Sequence, residues 1–250
     1  MSGHSKWKTN KSRKNAADAK KGAVYTKIIK EITVAAREGG GNSDTNSRLR
    51  AVIAKAKEAN MPSDNVKTAI KRGTGELPGI TYENVAYEAY GPAGVAIYIE
   101  ALTDNKNRTT AELRNIMSKK GGNMAGSGSV SWMFTKKGYL LIDKGQIGEE
   151  ELMSIVLDAG AEDFKSDDKN YEIITALGDF EKVKDAVQEK SITCQTAEVT
   201  MIPSSLIKVA ANNAKQLLGL IEALEDHDDV QQVYANFDIP DEILEEVTSE

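Results

Sequence analysis

The chain has 250 residues, 40% of them apolar and 28% charged, with a formal net charge of −6. That balance excludes collagen-like and low-complexity classes, and no apolar run approaches the roughly 18 residues needed to span a bilayer. Cys194 is the only cysteine, which excludes an internal disulfide and a thiolate metal cage.

The net charge conceals a division. Residues 1–75 hold 17 Lys and Arg against 6 Asp and Glu, and the remaining residues hold 15 against 32. The first thirty residues alone carry nine cations and one acid, Asp18. Such asymmetry is expected of a polyanion-seeking module attached to an acidic body. The N-terminus lacks the apolar core of a secretory signal, and a lone thiol fits a reducing compartment. A cytoplasmic protein with no membrane segment is therefore expected.

In chain order, residues 1–14 show no apolar period and read as a basic arm. From about Asn15 a helical pattern begins, with Tyr25, Ile28, Ile29, Ile32, Ala35 and Ala36 on one face and Gly39-Gly40-Gly41 as its stop. A second helix, capped by Asn46 or Ser47, buries Leu49, Val52, Ile53 and Ala56. A third follows Pro62 with a cap at Ser63 or Asp64, buries Val66, Ala69 and Ile70, and stops at Gly73.

From Tyr82 the period changes. YENVAYEAYG and GVAIYIEALTDN alternate and read as strands. A helix opened by Asn107 or Thr109 carries Leu113, Ile116 and Met117 and closes at Gly121-Gly122. GSVSWMF reads as a third strand. KKGYLLID, EEELMSIVLDAGA, EDFKS, NYEIITAL, DFEKVKDAVQEK and TAEVTMIP then give the order βαββαβ, a ferredoxin-like unit complete in itself. NNAKQLLGLIEALEDHDD reads as a helix and VQQVYANFDI as a last strand, before an acidic tail. The fold class expected is α+β: an N-terminal three-helix domain followed by two ferredoxin-like domains, the third inserted in the second. The divisions fall at 1–77, at 78–134 with 206–240, at 135–205, and at a tail of 241–250.

Few residues suggest catalysis. His4 and His227 stand far apart, with no neighbour at metal-ligand spacing. His227, within EDHDD, reads as solvated among acids. GGNMAGSGS lacks the Gly-Lys-Ser/Thr ending of a phosphate loop and follows a helix where that loop precedes one, so it reads as a flexible connection. Asp104 and Glu112 beside Arg108 are explained by capping and i,i+4 pairing. No catalytic residue, cofactor or metal is expected, and a metal-dependent enzyme is the remote alternative.

The candidate nucleic-acid-binding residues are Lys6, Trp7, Lys8, Lys11, Arg13, Lys14, Lys20, Lys21, Lys27 and Lys30. Lys and Arg neutralise phosphates and release counterions, and Trp7 offers a face for base stacking. Residues 206–250 hold 11 acids and 2 Lys, a surface expected to point away from nucleic acid, to dock a basic protein, or to fold against the basic segment. Duplex DNA, ribosomal RNA and an acidic protein surface remain open as partners, as does the oligomeric state.

Several stretches, among them GHSKW, DAKKG, TKIIKEITVAAREGGG, KAKEANMPSDN, YEAYGPAGVAIYIEALTDNKNRT, GGNMAGSGSVSWMF and LEDHDDVQQVYANFDI, closely resemble the YebC/PmpR family. The likeness spans nearly the whole chain and is weakest within about 140–195; Ser2 stands where many members have Ala. The resemblance implies three domains with the third inserted in the second. It also implies a non-enzymatic, nucleic-acid-facing role. Bacterial members are described as probable DNA-binding transcriptional regulators, and others act at the ribosome in the synthesis of proline-rich stretches.

Overall fold

The computed structural model describes residues 21–240 and 243–244. Its helices are α1 (Lys21–Gly39), α2 (Ser47–Glu58), α3 (Ser63–Thr74), α4 (Lys106–Lys120), α5 (Glu149–Ala159), α6 (Phe180–Glu189) and α7 (Ala211–Glu225). Its strands are β1 (Glu83–Tyr90), β2 (Ala96–Thr103), β3 (Asn123–Met124), β4 (Phe134–Asp143), β5 (Ala161–Ser166), β6 (Asn170–Thr175), β7 (Cys194–Pro203), β8 (Ile207–Lys208), β9 (Val230–Ala235) and β10 (Phe237–Asp238). The described residues form two compact units, 21–129 with 212–234, and 130–211 with 235 onward.

The first unit begins with the three helices. Ile28, Ile32, Ala35 and Ala36 of α1 meet Leu49, Val52 and Ala56 of α2 and Ala69 of α3 in one core. The stripe recurs at helical spacing because only that spacing puts successive apolar side chains on one face. Asn46 ties α2 to α1. Its Oδ1 accepts from the Leu49 N–H (3.0 Å), and its Nδ2 donates to the carbonyls of Ala35 and Gly40 (2.8 Å each). It thus caps one helix while satisfying the end of another.

Two expectations for α3 fail. Neither Ser63 nor Asp64 caps it; Pro62 occupies the N-cap, with no side-chain hydrogen bond, and Asp64 lies in the first turn, where its charge faces the helix dipole. Gly73 is not the stop, which comes at Gly75 in the left-handed region. Gly73 is a contact: a Cβ there would lie 2.5 Å from the Thr33 carbonyl oxygen and 2.7 Å from the Ala36 Cβ. Glycine lets the backbones of α1 and α3 approach.

The α+β part of this unit is a sheet of order β3-β1-β2-β9. β1 and β2 pair antiparallel from Glu83↔Thr103 to Tyr90↔Ala96. Ile97, Ile99, Leu113, Met117, Leu217, Leu220 and Ile221 are fully buried, from β2, α4 and α7. Helix α4 opens at Asn105, two residues before the earlier of the two positions the sequence suggested; its side chain accepts from the Arg108 N–H. The chain leaves this domain after residue 129 and returns at 212, so the second ferredoxin-like domain is inserted in it.

GSVSWMF is not a strand. The third strand is β3, two residues long, paired through Ala89↔Met124 and Tyr90↔Asn123. Residues 131–133 form one 3-10 turn. Ser-Val-Ser-Trp imitates the strand alternation, but the local hydrogen bond from Met133 N to Val130 O takes the groups a ladder would use. The glycine-rich connection is also clamped: Gly128 N donates to the Glu88 carboxylate (2.7 Å), and Ala125 N to the Glu88 carbonyl.

The inserted domain has the sheet order β5-β6-β4-β7 with antiparallel neighbours throughout. Leu140, Ile142, Tyr171 and Ile173 of the sheet pack on Leu152 and Val156 of α5 and on Phe180, Val183 and Val187 of α6. The expected last strand divides at Asn236. β9 joins the first unit's sheet, whereas β10 pairs in parallel with β8 in the second.

Candidate nucleic-acid interface and its polar junction

Of the residues nominated from sequence, Lys6, Trp7, Lys8, Lys11, Arg13, Lys14 and Lys20 lie outside the described residues, and Lys21 begins α1. Lys27 and Lys30 are described, one helical turn apart on α1. Both reach the acidic segment that follows α7. Lys27 Nζ donates to the Glu225 carbonyl at 2.5 Å. Lys30 Nζ donates to the Asp228 carbonyl at 2.9 Å and pairs with Asp229 Oδ1 at 2.6 Å. The side chains of Lys30 and Asp229 are 8% and 4% exposed.

Asp229 is the hub of this junction. Its Oδ2 accepts from Arg108 Nη2 (2.9 Å) and from the Thr109 hydroxyl (2.7 Å). Arg108 also reaches Asp104 at 2.8 Å, the i,i+4 pair expected from sequence. The Asp229 N–H donates to His227 Nδ1 (3.1 Å), so the ring proton sits on Nε2 and points at Glu112 Oε2 (2.9 Å). His227, at 11% side-chain exposure, is a held group rather than a solvated one. The Tyr82 ring lies 5.6 Å from Lys30 Nζ, a cation–π distance.

These partners set the ionisation of the cluster. Burial alone would raise the Asp229 carboxyl, but donors from Lys30, Thr109 and Arg108 outweigh it and hold the group far below the usual carboxylate range. Hydrogen bonds to Asp229 and Asp104 push the Arg108 guanidinium further above its already high value. Burial, then the nearby Asp104, pushes the Tyr82 phenol up.

The junction opens on a cleft of about 630 Å³ whose walls include Thr26, Glu112, Asn115 and Asp226. Ligand atoms of Glu112, His227 and Asp229 lie within 4.8 Å of one another, a spacing compatible with a metal ion. Here the positive charges are the protein's own, since Lys30 covers one Asp229 oxygen and Arg108 the other. A cation on either oxygen would have to displace the protein cation already there, so the arrangement works as an ion-pair network. The sequence signals for it, EDHDD and NKNRTT, are visible, but their partnership with α1 is not.

The rest of the helical domain presents a mixed basic surface. Arg48 pairs with Glu38, Lys55 with Glu31 and Lys67 with Asp64. Lys57, Lys71 and Arg72 are exposed and have no ion-pair partner among the described residues. Cys194 is half-buried, and burial pushes its thiol up, away from the thiolate that a nucleophile needs. Among the described residues no helix is long and apolar enough to cross a membrane.

Residues 5–76 match the model of the TACO1/YebC protein N-terminal domain, and residues 82–237 match that of the TACO1/YebC second and third domain. The chain belongs to the TACO1/YebC family. A "probable transcriptional regulatory protein" of Natranaerobius thermophilus is 54% identical over 248 residues, covering 98% of this chain and 99% of its own length. A protein of the same description from Dictyoglomus turgidum is 53% identical over 249 residues, covering 99% and 100%. The crystal structure of a conserved hypothetical protein from Aquifex aeolicus superposes with a TM-score of 0.76 at 43% identity, covering 89% of this chain and 92% of that one. In the TACO1/YebC chain described here, the boundary between the two matched models falls at 77–81, just before Tyr82 and the junction.

Proposed function

We propose that this TACO1/YebC protein is a nucleic-acid-binding regulator, a DNA-binding transcriptional regulator of the kind its relatives are named for. The observation that carries the reading is the net charge of +11 on residues 1–75, set on a compact three-helix scaffold and followed by an acidic body. In this reading the helical domain (1–77) makes the contact. Lys6, Lys8, Lys11, Arg13, Lys14, Lys20 and Lys21 neutralise phosphates, and Trp7 stacks on a base. Lys27 and Lys30 anchor the helix from which these residues lead. The discontinuous domain (78–134 with 206–240), the inserted domain (135–205) and the acidic tail (241–250) face away from the polyanion. No step in this role requires catalysis or a cofactor.

The short 59–62 connection between α2 and α3, with Asn65, Lys67, Lys71 and Arg72 exposed on α3, favours a groove-directed helix. The second reading is a ribosome-associated translation factor, favoured by an arm whose single Trp suits partly unstacked RNA.

Both are tested by titrating the full chain with duplex DNA and with purified ribosomes across a salt series. A parallel series uses a variant with Lys6, Trp7, Lys8, Lys11, Arg13 and Lys14 changed to Ala. Tight duplex binding with a salt slope lowered by roughly 4–5 in the variant supports the regulator reading. Much tighter ribosome binding that collapses in the variant supports the second. Unchanged binding in the variant removes the arm from the site.

A further inference from the structure

We propose that the basic arm, residues 1–14, docks on the helix-free face of the inserted domain's sheet and leaves it to meet nucleic acid; only the second half rests on the functional reading above. Both helices of this domain pack on one face of β5-β6-β4-β7, against Leu140, Ile142, Tyr171 and Ile173. Side chains alternate along a strand, so the register puts Tyr139, Leu141, Glu172 and Ile174 on the opposite face. A sheet face without helices is ordinarily polar and open to water. Here Tyr139 is 2% exposed, Leu141 1% and Glu172 4%. Along β7 the usual order is reversed. Ala197 and Val199, on the helix side, are exposed, whereas on the other side Thr200 is buried and Glu198 half-buried. The helix-free face is a covered one.

The chemistry of the face selects its cover. A cavity of about 80 Å³ opens on it, walled by Tyr139, Ile174, Ile202 and Leu206 with Glu172 among them. Apolar walls and one carboxylate suit a lysine or arginine, whose aliphatic stem packs while its charge meets the acid. Lys165 and Lys137 stand on the same face, each with its own acid, Asp163 at 3.0 Å and Glu162 at 2.5 Å. Glu172 and Glu198 add negative charge beyond those two pairs. The inserted domain as a whole, 135–205, carries 15 Asp and Glu against 8 Lys. Residues 1–14 carry five cations, Lys6, Lys8, Lys11, Arg13 and Lys14, and no acid. Fourteen residues extend to roughly 46–50 Å, and four strands span about 14 Å between the outer two. The arm can therefore cross the face with length to spare. Phosphates and this face compete for the same cations, so a polyanion that takes the arm must first draw it from the sheet.

The test follows tryptic cleavage of the arm in the full chain, since trypsin cuts after Lys and Arg and the arm has five such residues. At about 0.01 M salt, where screening sets in only beyond roughly 30 Å, the parent arm is expected to be cut slowly. Glu172→Gln keeps the side-chain shape and is expected to speed cleavage about 10-fold or more. Because burial pushes the Glu172 carboxyl up, this variant is not expected to weaken the fold. Glu198→Lys, at the half-buried rim, is expected to speed cleavage a few-fold, with circular dichroism confirming the fold. Glu172→Gln is also expected to tighten binding of a mixed-sequence DNA duplex about 5-fold or more at low salt. Variants cut at the parent's rate, whether fast or slow, would overturn the docking. Protection that grows with protein concentration, with dimers in sedimentation, would give the face to another copy's arm and overturn docking within one chain. Faster cleavage with unchanged duplex binding would overturn the competition. Faster cleavage in variants of a chain that binds no nucleic acid would remove the functional reading and leave the docking standing.

Discussion

Lys30 and Asp229, 199 residues apart in sequence, form a buried ion pair of 2.6 Å. The pair fastens the helix that follows the basic arm to the acidic segment at the start of β9. A buried pair is a costly device, because each charge has left water, and it holds only when remaining donors and acceptors are met. Here Arg108, Thr109 and the Asp228 carbonyl meet them.

Replacing Asp229 by Ala takes the carboxylate from the buried Lys30, which keeps the Asp228 carbonyl, and removes one of the two carboxylates that Arg108 bonds, Asp104 remaining. We expect a loss of about 3–5 kcal/mol in urea denaturation. Lys30→Met is expected to cost less, because Asp229 keeps Arg108 and Thr109. A Lys30→Met variant as damaged as Asp229→Ala would show that the lysine, not the aspartate, is the centre of the junction.

Two buried carboxylates predict opposite pH responses. The folded state holds Asp229 below its unfolded value of about 3.9, so its contribution is complete above that value and is lost as pH falls towards the lower folded pKa. Burial raises Glu172, so its contribution is present below an unfolded value of about 4.3 and is lost as pH rises through the folded pKa. Between pH 7 and 3, Asp229→Asn should flatten the acid loss of stability. Glu172→Gln should raise the denaturation midpoint at pH 7 and have little effect near pH 3. Parallel profiles for parent and variants would count against both assignments.

Asn46→Ala removes a cap and two donors to carbonyls at the end of α1. The cap is worth about 1 kcal/mol, and a buried carbonyl left unmet costs about 1–3 kcal/mol more. A combined loss of roughly 2–4 kcal/mol is expected in the unfolding of the helical domain, followed by circular dichroism. A loss of only a few tenths would mean that the Ala35 and Gly40 carbonyls find other partners.

Gly73→Ala tests the contact between α1 and α3. Alanine favours a helix by about 1 kcal/mol over glycine, so an exposed site would gain stability. At Gly73 the new methyl meets the Thr33 carbonyl, and overpacking of this kind costs about 1–3 kcal/mol. A lower melting temperature is expected. A higher one would place the helices further apart than 2.5 Å allows.

Much of the architecture was legible because it is written in local periods. The stripe of α1, the alternation of β1 and β2, and the βαββαβ order of the inserted domain each follow from side chains a few residues apart. The failures were also local imitations. Ser-Val-Ser-Trp alternates like a strand but closes a 3-10 turn, and VQQVYANFDI reads as one strand although Asn236 divides it between two sheets. Alternation reports which side chains point apart, not which backbone groups find a ladder partner.

By itself the sequence determined the α+β class, the basic first third and the acidic remainder, since each is a matter of composition or of short-range spacing, and its motifs carried the resemblance to the family. Only the tertiary structure decided what Lys30, Arg108, Thr109, His227 and Asp229 are for. Read singly, they are a phosphate ligand, an i,i+4 partner, a helix residue and two members of a solvated acidic run. Brought together and removed from water, they become one ion-pair network. The physical reason is that desolvation makes a charge depend on its nearest partners in space, and those partners come from α1, α4 and the start of β9, which no local pattern connects.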